Sequence, residues 1–96
     1  MATYAENVLN AIVISDDLSE DEKLLELGKL IEKGVDVQLA DNFAIRESSK
    51  NGYAKIVNFL IEAGANVHAD YDSAIRGASK NGHAEVVKLL KEAGNK

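Results

Sequence analysis

Basic side chains recur at a fixed interval in this chain. Arg46 is followed thirty positions later by Arg76, and Lys50 is followed in the same way by Lys80. If the segments that carry them stack side by side, the four bases form two columns on one surface, where they could meet an acidic partner or phosphate groups. Acids lie among them, however, and exposed ion pairs contribute little energy. We therefore prefer the simpler interpretation, in which the two arginines pair with neighbouring acids, namely Asp41, Asp70, Asp72 or Glu47.

A histidine and two aspartates lie at alternate positions of one short segment, HADYD at residues 68–72. In an extended strand, His68, Asp70 and Asp72 would all point the same way, and such a set can bind a metal ion. The preceding copy of the segment, residues 38–42, carries no such set, and the segment lacks the glycine and terminal glutamate of a calcium loop. We interpret it as a polar turn and expect neither a metal nor a cofactor.

The second histidine, His83, follows a glycine at the predicted start of a helix. A catalytic base acts on a nucleophile placed beside it. The candidate hydroxyls belong to Ser48, Ser49 and Ser79, which lie on a face of small residues and are predicted to pack inside. The chain has no cysteine, so thiolate nucleophiles, thiolate metal sites and disulfides are excluded. We expect no enzymatic activity.

The charge and hydropathy of the chain exclude other classes of function. The net charge is −5 over 96 residues, whereas nucleic-acid-binding domains are usually basic. No apolar run approaches the roughly 20 residues that span a bilayer. The first fifteen residues lack the basic start of a secretion signal. We expect an intracellular protein that binds neither nucleic acid nor membrane.

The densest acidic run, DDLSEDE at residues 16–22, is better placed to start a helix than to bind a cation. Ser19 and Glu22 have the spacing of a capping box, and acids favour the positive end of the helix dipole. An apolar stripe predicts a helix from about residue 3 to 14, ahead of this run. A second stripe predicts a helix from the run to about residue 33, and consists of Leu24, Leu25, Leu27, Leu30 and Ile31.

The rest of the chain contains two similar copies of one segment. AIRESSKNG at residues 44–52 returns thirty positions later as AIRGASKNG, with seven of nine letters unchanged. Each copy predicts a short helix with a face of small residues, then a second helix with bulky apolar residues. Glycine closes each helix, as Gly52 and Gly64 do in the first copy, and an extended connection over residues 65–73 leads to the second copy. Neither helix pair can bury its apolar face alone, so stacking must supply the core.

These patterns predict an all-α fold, a single domain over residues 1–96 made of three stacked helix-turn-helix units. The N-terminal capping unit covers residues 1–37, the internal unit 38–67 and the C-terminal capping unit 68–96. Lys91 replaces an apolar residue of the internal unit, which gives the last unit the polar outer face that a terminal repeat needs.

The repeated segment resembles the ankyrin repeat family. It reads NGYAKIVNFLIEAG at residues 51–64 and NGHAEVVKLLKEAG at residues 81–94, which is similar to the family's Gly-His-x-x-Val-Val-x-x-Leu-Leu pattern. The likeness covers about residues 20–96. The thirty-residue period is shorter than the family's 33, so hairpin connections should be reduced to turns. Shortened repeats of this kind resemble those of large DNA viruses, while near-identical units also resemble an engineered array. The resemblance implies a structural role for His83 at its turn.

The resemblance implies a short α-solenoid that binds a protein partner through the connection tips and the concave surface of the first helices. We expect a monomer more than a homo-oligomer. Two alternatives stay open: a designed or reconstructed scaffold with no natural ligand, and a self-associating repeat fragment. The predicted partner-binding residues are Asp41, Asn42, Phe43, Arg46, Glu47, Lys50, Tyr71, Asp72, Arg76, Gly77 and Lys80.

Overall fold

Helices account for nearly all of the chain that the computed structural model describes, residues 4–94 without the side chains of 4–7 and 39–41. Within that range there is no β-strand, which confirms the prediction of an all-α fold. The helices are α1 (Tyr4–Ile14), α2 (Glu20–Glu32), α3 (Leu39–Lys50), α4 (Ala54–Glu62), α5 (Ala69–Lys80) and α6 (Ala84–Gly94).

The start of α2 is fixed by the predicted capping box. The hydroxyl of Ser19 accepts a hydrogen bond from the backbone N–H of Glu22 at 3.2 Å, and the Glu22 carboxylate accepts one from the Ser19 N–H at 3.0 Å. Each bond satisfies an N–H that has no partner inside the helix. Hydrogen bonding with Ser19, first through its backbone and then through its side chain, lowers the pKa of Glu22.

Glycines in the left-handed region end the helices α2 to α5, as predicted for Gly52 and Gly64. The turn after α3 shows the geometry: Gly52 has a φ of 78°, and the N–H of Tyr53 donates to the carbonyl of Ser48 at 2.9 Å. This bond pattern closes a helix end and reverses the chain sharply, which sends α4 back along α3.

The helices lie in two layers. α1, α3 and α5 pack side by side in one layer, α2, α4 and α6 pack side by side in the other, and each odd helix also contacts the even helix that follows it. The core runs between the layers, with Val57 buried in it and Val87 packed against it. The radius of gyration is 12.2 Å, close to the roughly 12.5 Å expected of a compact chain of this length.

Two of the three serines on the small-residue face are buried as predicted. Ser48 and Ser49 are wholly buried between neighbouring helices. Ser79, the residue equivalent to Ser49, is exposed, so the prediction is wrong for this residue. The reason is its position: α5 packs over the face of α3 that carries Ser49, whereas no helix of the described residues covers the matching face of α5.

The predicted extended connection over residues 65–73 is also wrong. The side chain of Asn66 accepts a hydrogen bond from the N–H of His68 at 3.0 Å, which makes a tight turn instead of a strand. The next helix then begins at Ala69. Asp36 makes the same turn thirty positions earlier by accepting from the N–H of Gln38 at 2.9 Å. The alternation of polar and apolar residues therefore reflects two turns of a repeated type.

Candidate functional site

A tyrosine stands in solvent at the start of α5. Tyr71 is 89% exposed, the most exposed large apolar residue among those described. It is the middle of three consecutive residues with left-handed backbone angles: Asp70 (φ 54°, ψ 54°), Tyr71 (φ 55°, ψ 46°) and Asp72 (φ 61°, ψ 33°). Left-handed angles cost about 1–2 kcal/mol per residue; Asn and Asp tolerate them, but Tyr has no such compensation. The turn must therefore be held by contacts from outside it.

Two arginines hold this turn. The Arg76 guanidinium donates from Nε to the carbonyl of Tyr71 at 2.9 Å and from Nη2 to the carbonyl of Asp70 at 3.1 Å. From the preceding helix, Arg46 pairs with the carboxylate of Asp70 at 3.7 Å. A planar guanidinium suits two acceptors at once. The left-handed turn is thus tied to α5 by one arginine and to α3 by the other, and these contacts hold the backbone that carries Tyr71.

The two predicted basic columns have different surroundings. In the arginine column, Arg46 pairs with Asp70, as predicted. Arg76 bonds the backbone carbonyls of Tyr71 and Asp70 instead of a neighbouring acid, so the prediction is wrong for this residue. The lysine column is exposed, and neither Lys50 nor Lys80 has an ion-pair partner among the residues whose side chains are described. A Cβ atom placed on Gly77 would lie 3.4 Å from Cβ of Lys50, so the lysine stem lies against this glycine.

The remaining predicted partner-binding residues differ in access. Phe43 is half-buried, with the Arg46 guanidinium 6.0 Å from its ring centre. Asn42 is only 5% exposed, and its side chain accepts a hydrogen bond from the N–H of Asn66 at 2.8 Å, which gives it a role inside the fold. Glu47 is half-buried and lies within 3.4 Å of the Asn51 amide. The side chain of Asp41 lies outside the described residues.

The three polar residues of the proposed metal alternative do not come together. His68 and Asp72 bond to each other, Nδ1 to Oδ1 at 2.5 Å, whereas Asp70 turns away to Arg46. No group of three His, Asp or Glu side chains in the described part of the chain is arranged to hold a metal ion. His68 and Asp72 line a cleft of about 220 Å³ with Lys91, and the same imidazole lies against Gly94, where a Cβ atom would meet Nε2 at 3.0 Å. The Asp72 bond is the main cause that raises the pKa of His68, followed by the Asp72 charge and the Gly94 bond.

One buried cation was not predicted. Lys23 is 2% exposed; its ammonium donates to the carbonyl of Val13 at 2.9 Å and to the hydroxyl of Tyr53 at 3.0 Å. It closes the C-terminal end of α1, where the helix dipole favours a positive charge. The sequence holds a signal for its burial, because Lys23 falls on the apolar stripe of Leu27 and Leu30 at helical spacing.

A carboxylate that was assigned only to the start of α2 also joins two helix pairs. Glu20 accepts from the N–H of Lys55 at 2.9 Å and from the N–H of Ile56 at 3.4 Å. Both N–H groups belong to the first turn of α4, so Glu20 caps a helix of the next pair. Asp21 adds an ion pair with the Lys55 ammonium at 3.0 Å. The acidic run of residues 16–22 therefore works as helix-start chemistry for two helices.

Comparison with protein-family models, with curated proteins and with solved structures finds no match to the chain. Among the described residues, no helix is both long enough and apolar enough to cross a membrane. The function therefore has to be inferred from the residues of the chain itself.

Proposed function

We propose that the chain is a short ankyrin-type α-solenoid whose function is to bind a protein partner, with Tyr71 as the central contact. The support for the architecture is the thirty-residue sequence repeat together with the side-by-side packing of odd helices with odd and even with even. The support for binding is the turn at residues 70–72.

The observation that carries the proposal is the exposure of Tyr71 on a backbone turn that it does not favour. An aromatic side chain gains nothing for stability when it is 89% exposed, and its left-handed angles are unfavourable. Rigid exposed tyrosines beside arginine are the usual energetic anchors of protein interfaces. Strained backbone that the surrounding structure holds in place is common at binding sites.

The surface around Tyr71 extends along the first helices. Lys50 and Lys80 are exposed, each in the last turn of its helix. Arg46 and Arg76 then support the contact surface by fixing the turn, and Phe43 lies under one of them. Asn42 and Asp72 act within the fold by joining neighbouring segments.

The test uses a displayed library of random 15-residue peptides, panned against the folded chain. Enriched peptides are titrated against the wild type, against Tyr71→Ala, and against Ile14→Ala as a matched control. Ile14 is also an exposed large apolar residue, at 54%, but lies in α1. We expect Tyr71→Ala to weaken binding by about 30-fold or more, the effect of an interface anchor, and Ile14→Ala to leave it unchanged.

Two results would overturn the proposal. One is a library that yields no peptide with saturable binding. The other is a set of peptides that bind the Tyr71→Ala variant as tightly as the wild type, with circular dichroism showing both proteins equally helical.

A further inference from the structure

The outer side of the last helix pair carries an open, largely apolar cleft. Its volume is about 350 Å³. His83 lies at the edge of this cleft. Its imidazole points towards α3–α4, because a Cβ atom placed on Gly52 would lie 2.5 Å from the ring. The cleft is lined by Ser79, Gly82, His83, Ala84 and Val87.

The same residue types form a buried interface thirty positions earlier. Ser49 and Val57 are wholly buried beneath the last helix pair, and the ring of His83 occupies the space over Gly52. Their counterparts in the cleft have lost this cover. Ser79 is exposed and Val87 is only half-buried, while a Cβ atom on Gly82 would meet nothing within 4 Å. The cleft thus repeats the chemistry of a face that binds another helix pair inside this molecule.

The opposite end of the molecule offers an apolar side chain that faces outward. The ammonium of Lys55 reaches back to Asp21 in the preceding helix pair, so position 55 of α4 faces towards α1–α2. The equivalent residue of α2 is Leu25, which therefore faces away from the rest of the molecule. It is 62% exposed, and Ile14 in the same helix pair is 54% exposed.

The two ends also differ in charge. Residues 1–37, at one end, carry three bases against nine acids. Residues 68–96, at the other end, carry five bases against four acids. Contact between unlike ends is therefore favourable, whereas contact between like acidic ends is repulsive.

We propose that the outer face of α5–α6 binds the outer face of α1–α2 of a second copy of this chain, head to tail. The cleft at Gly82 and Ala84 receives the exposed Leu25 of the other copy, in the manner in which α3–α4 receives α5–α6. Because each copy keeps one unused face, such contacts build open chains instead of closed dimers. This goes beyond partner binding at Tyr71, and it revises the expectation of a monomer at high protein concentration.

The test follows the mass of the chain by sedimentation equilibrium between about 10 µM and about 1 mM, where weak contacts of about 4–7 kcal/mol are populated. Leu25→Arg blocks one face and Ala84→Arg blocks the other. Both sites are exposed, so an arginine at either position can reach solvent and leaves no charge buried. Circular dichroism checks that each variant is folded.

The expected pattern is specific to head-to-tail contact. The wild type exceeds the mass of a dimer as its concentration rises, and each variant alone stays at 10.3 kDa. An equimolar mixture of the two variants forms a complex of two chains and no larger species, since each supplies one intact face and the two Arg faces repel. The proposal is overturned by a wild type that stays monomeric, by a mixture that does not associate, or by a variant that still self-associates.

Discussion

The internal helix pair, α3–α4, and the last pair, α5–α6, have nearly the same sequence. They differ in the side chain that contacts the glycine at the end of the second helix. In the internal pair, the Gln38 side chain donates to the carbonyl of Gly64 at 2.9 Å. In the last pair the residue at this position is His68, whose ring lies against the equivalent Gly94 and bonds Asp72. A neutral amide has therefore been replaced by an ionisable ring at the same place. The same backbone plan can be insensitive to pH in one repeat and sensitive to it in the next.

The boundaries between helix pairs differ too. The first boundary is closed by a buried cation, Lys23, whose ammonium lies 4.4 Å from the ring centre of Tyr53. The second is closed thirty positions later by the ring of His83 over Gly52. Substitutions at Lys23 and Gly52 therefore measure how much stability comes from contacts between neighbouring helix pairs.

The largest expected effect comes from adding one methyl group at Gly52. Gly52→Ala places its Cβ 2.5 Å from the His83 ring at a φ of 78°, whereas Gly82→Ala meets nothing within 4 Å at a φ of 77°. The first change should lower the free energy of unfolding by about 3 kcal/mol, through steric overlap and the left-handed angle. The second should lower it by about 1 kcal/mol, through the angle alone. Urea unfolding followed by circular dichroism measures both, and equal losses would show that the second boundary is not tightly packed.

The next effect concerns the first boundary. Lys23→Met keeps most of the side-chain volume but leaves the Val13 carbonyl and the Tyr53 hydroxyl without their donor. We expect a loss of about 2 kcal/mol in the free energy of unfolding, typical of buried polar groups left unsatisfied. Lys29→Met is the matched control, because the Lys29 side chain is 55% exposed, and it should change stability by less than about 0.5 kcal/mol. A Lys23 variant as stable as this control would mean that the buried ammonium contributes nothing net.

How far the sequence predicts this molecule depends on whether the cause is local. The glycine at position 52 and the Ser19 capping box act within a few residues, so their signals are visible in the sequence and the structure confirms them. The left-handed turn at Tyr71 has no local signal, because its support comes from Arg46 on another helix and from Arg76 five residues away.

The candidate site was predictable in part for the same reason. The spacing of Arg46 and Arg76 indicated one surface and pairing with acids, but not that both arginines converge on one turn. The exposure of Ser79 was missed because a repeat argument assigns the same burial to equivalent residues, while burial depends on the next helix pair. The burial of Lys23 was not predicted, because a charged side chain is expected to be exposed even where it lies on an apolar stripe.

A smaller effect, of opposite sign, is expected at the exposed tip. Tyr71→Asn replaces a residue that disfavours left-handed angles with one that tolerates them. The free energy of unfolding should rise by about 0.5–1 kcal/mol, since little packing is lost at 89% exposure. Thermal and urea unfolding measure the gain. Binding of the selected peptides should be lost in this variant, so that stability and binding move in opposite directions. A destabilised variant would show that the ring has a structural role.

The smallest effect is a pH dependence confined to the last pair. The bonds to Asp72 and Gly94 raise the pKa of His68 above its ordinary value near 6.5. A raised pKa means that the folded state binds the proton more tightly than the unfolded state. The resulting stability is fully present below the unfolded pKa and is lost as pH rises through the folded one. Asp72 carries the opposite charge and favours the protonated ring, and Lys91 lines the same cleft.

His68→Gln inserts the residue of the internal pair and should remove this dependence, while leaving the amide donor to the Gly94 carbonyl. Both proteins carry His83→Tyr, the residue found at position 53, so that position 68 holds the only imidazole in either chain. The wild-type histidine should give a midpoint of thermal unfolding that falls as pH rises from about 6.5 through the raised pKa of His68, and the glutamine variant should give a flat profile across the same range. Hydrogen exchange in α6 should show the same contrast and α4 should show none, since only α6 ends at the glycine that His68 bonds. If the two profiles fall in parallel, the histidine is not the group that responds, and the internal and last pairs are tethered alike despite their different side chains.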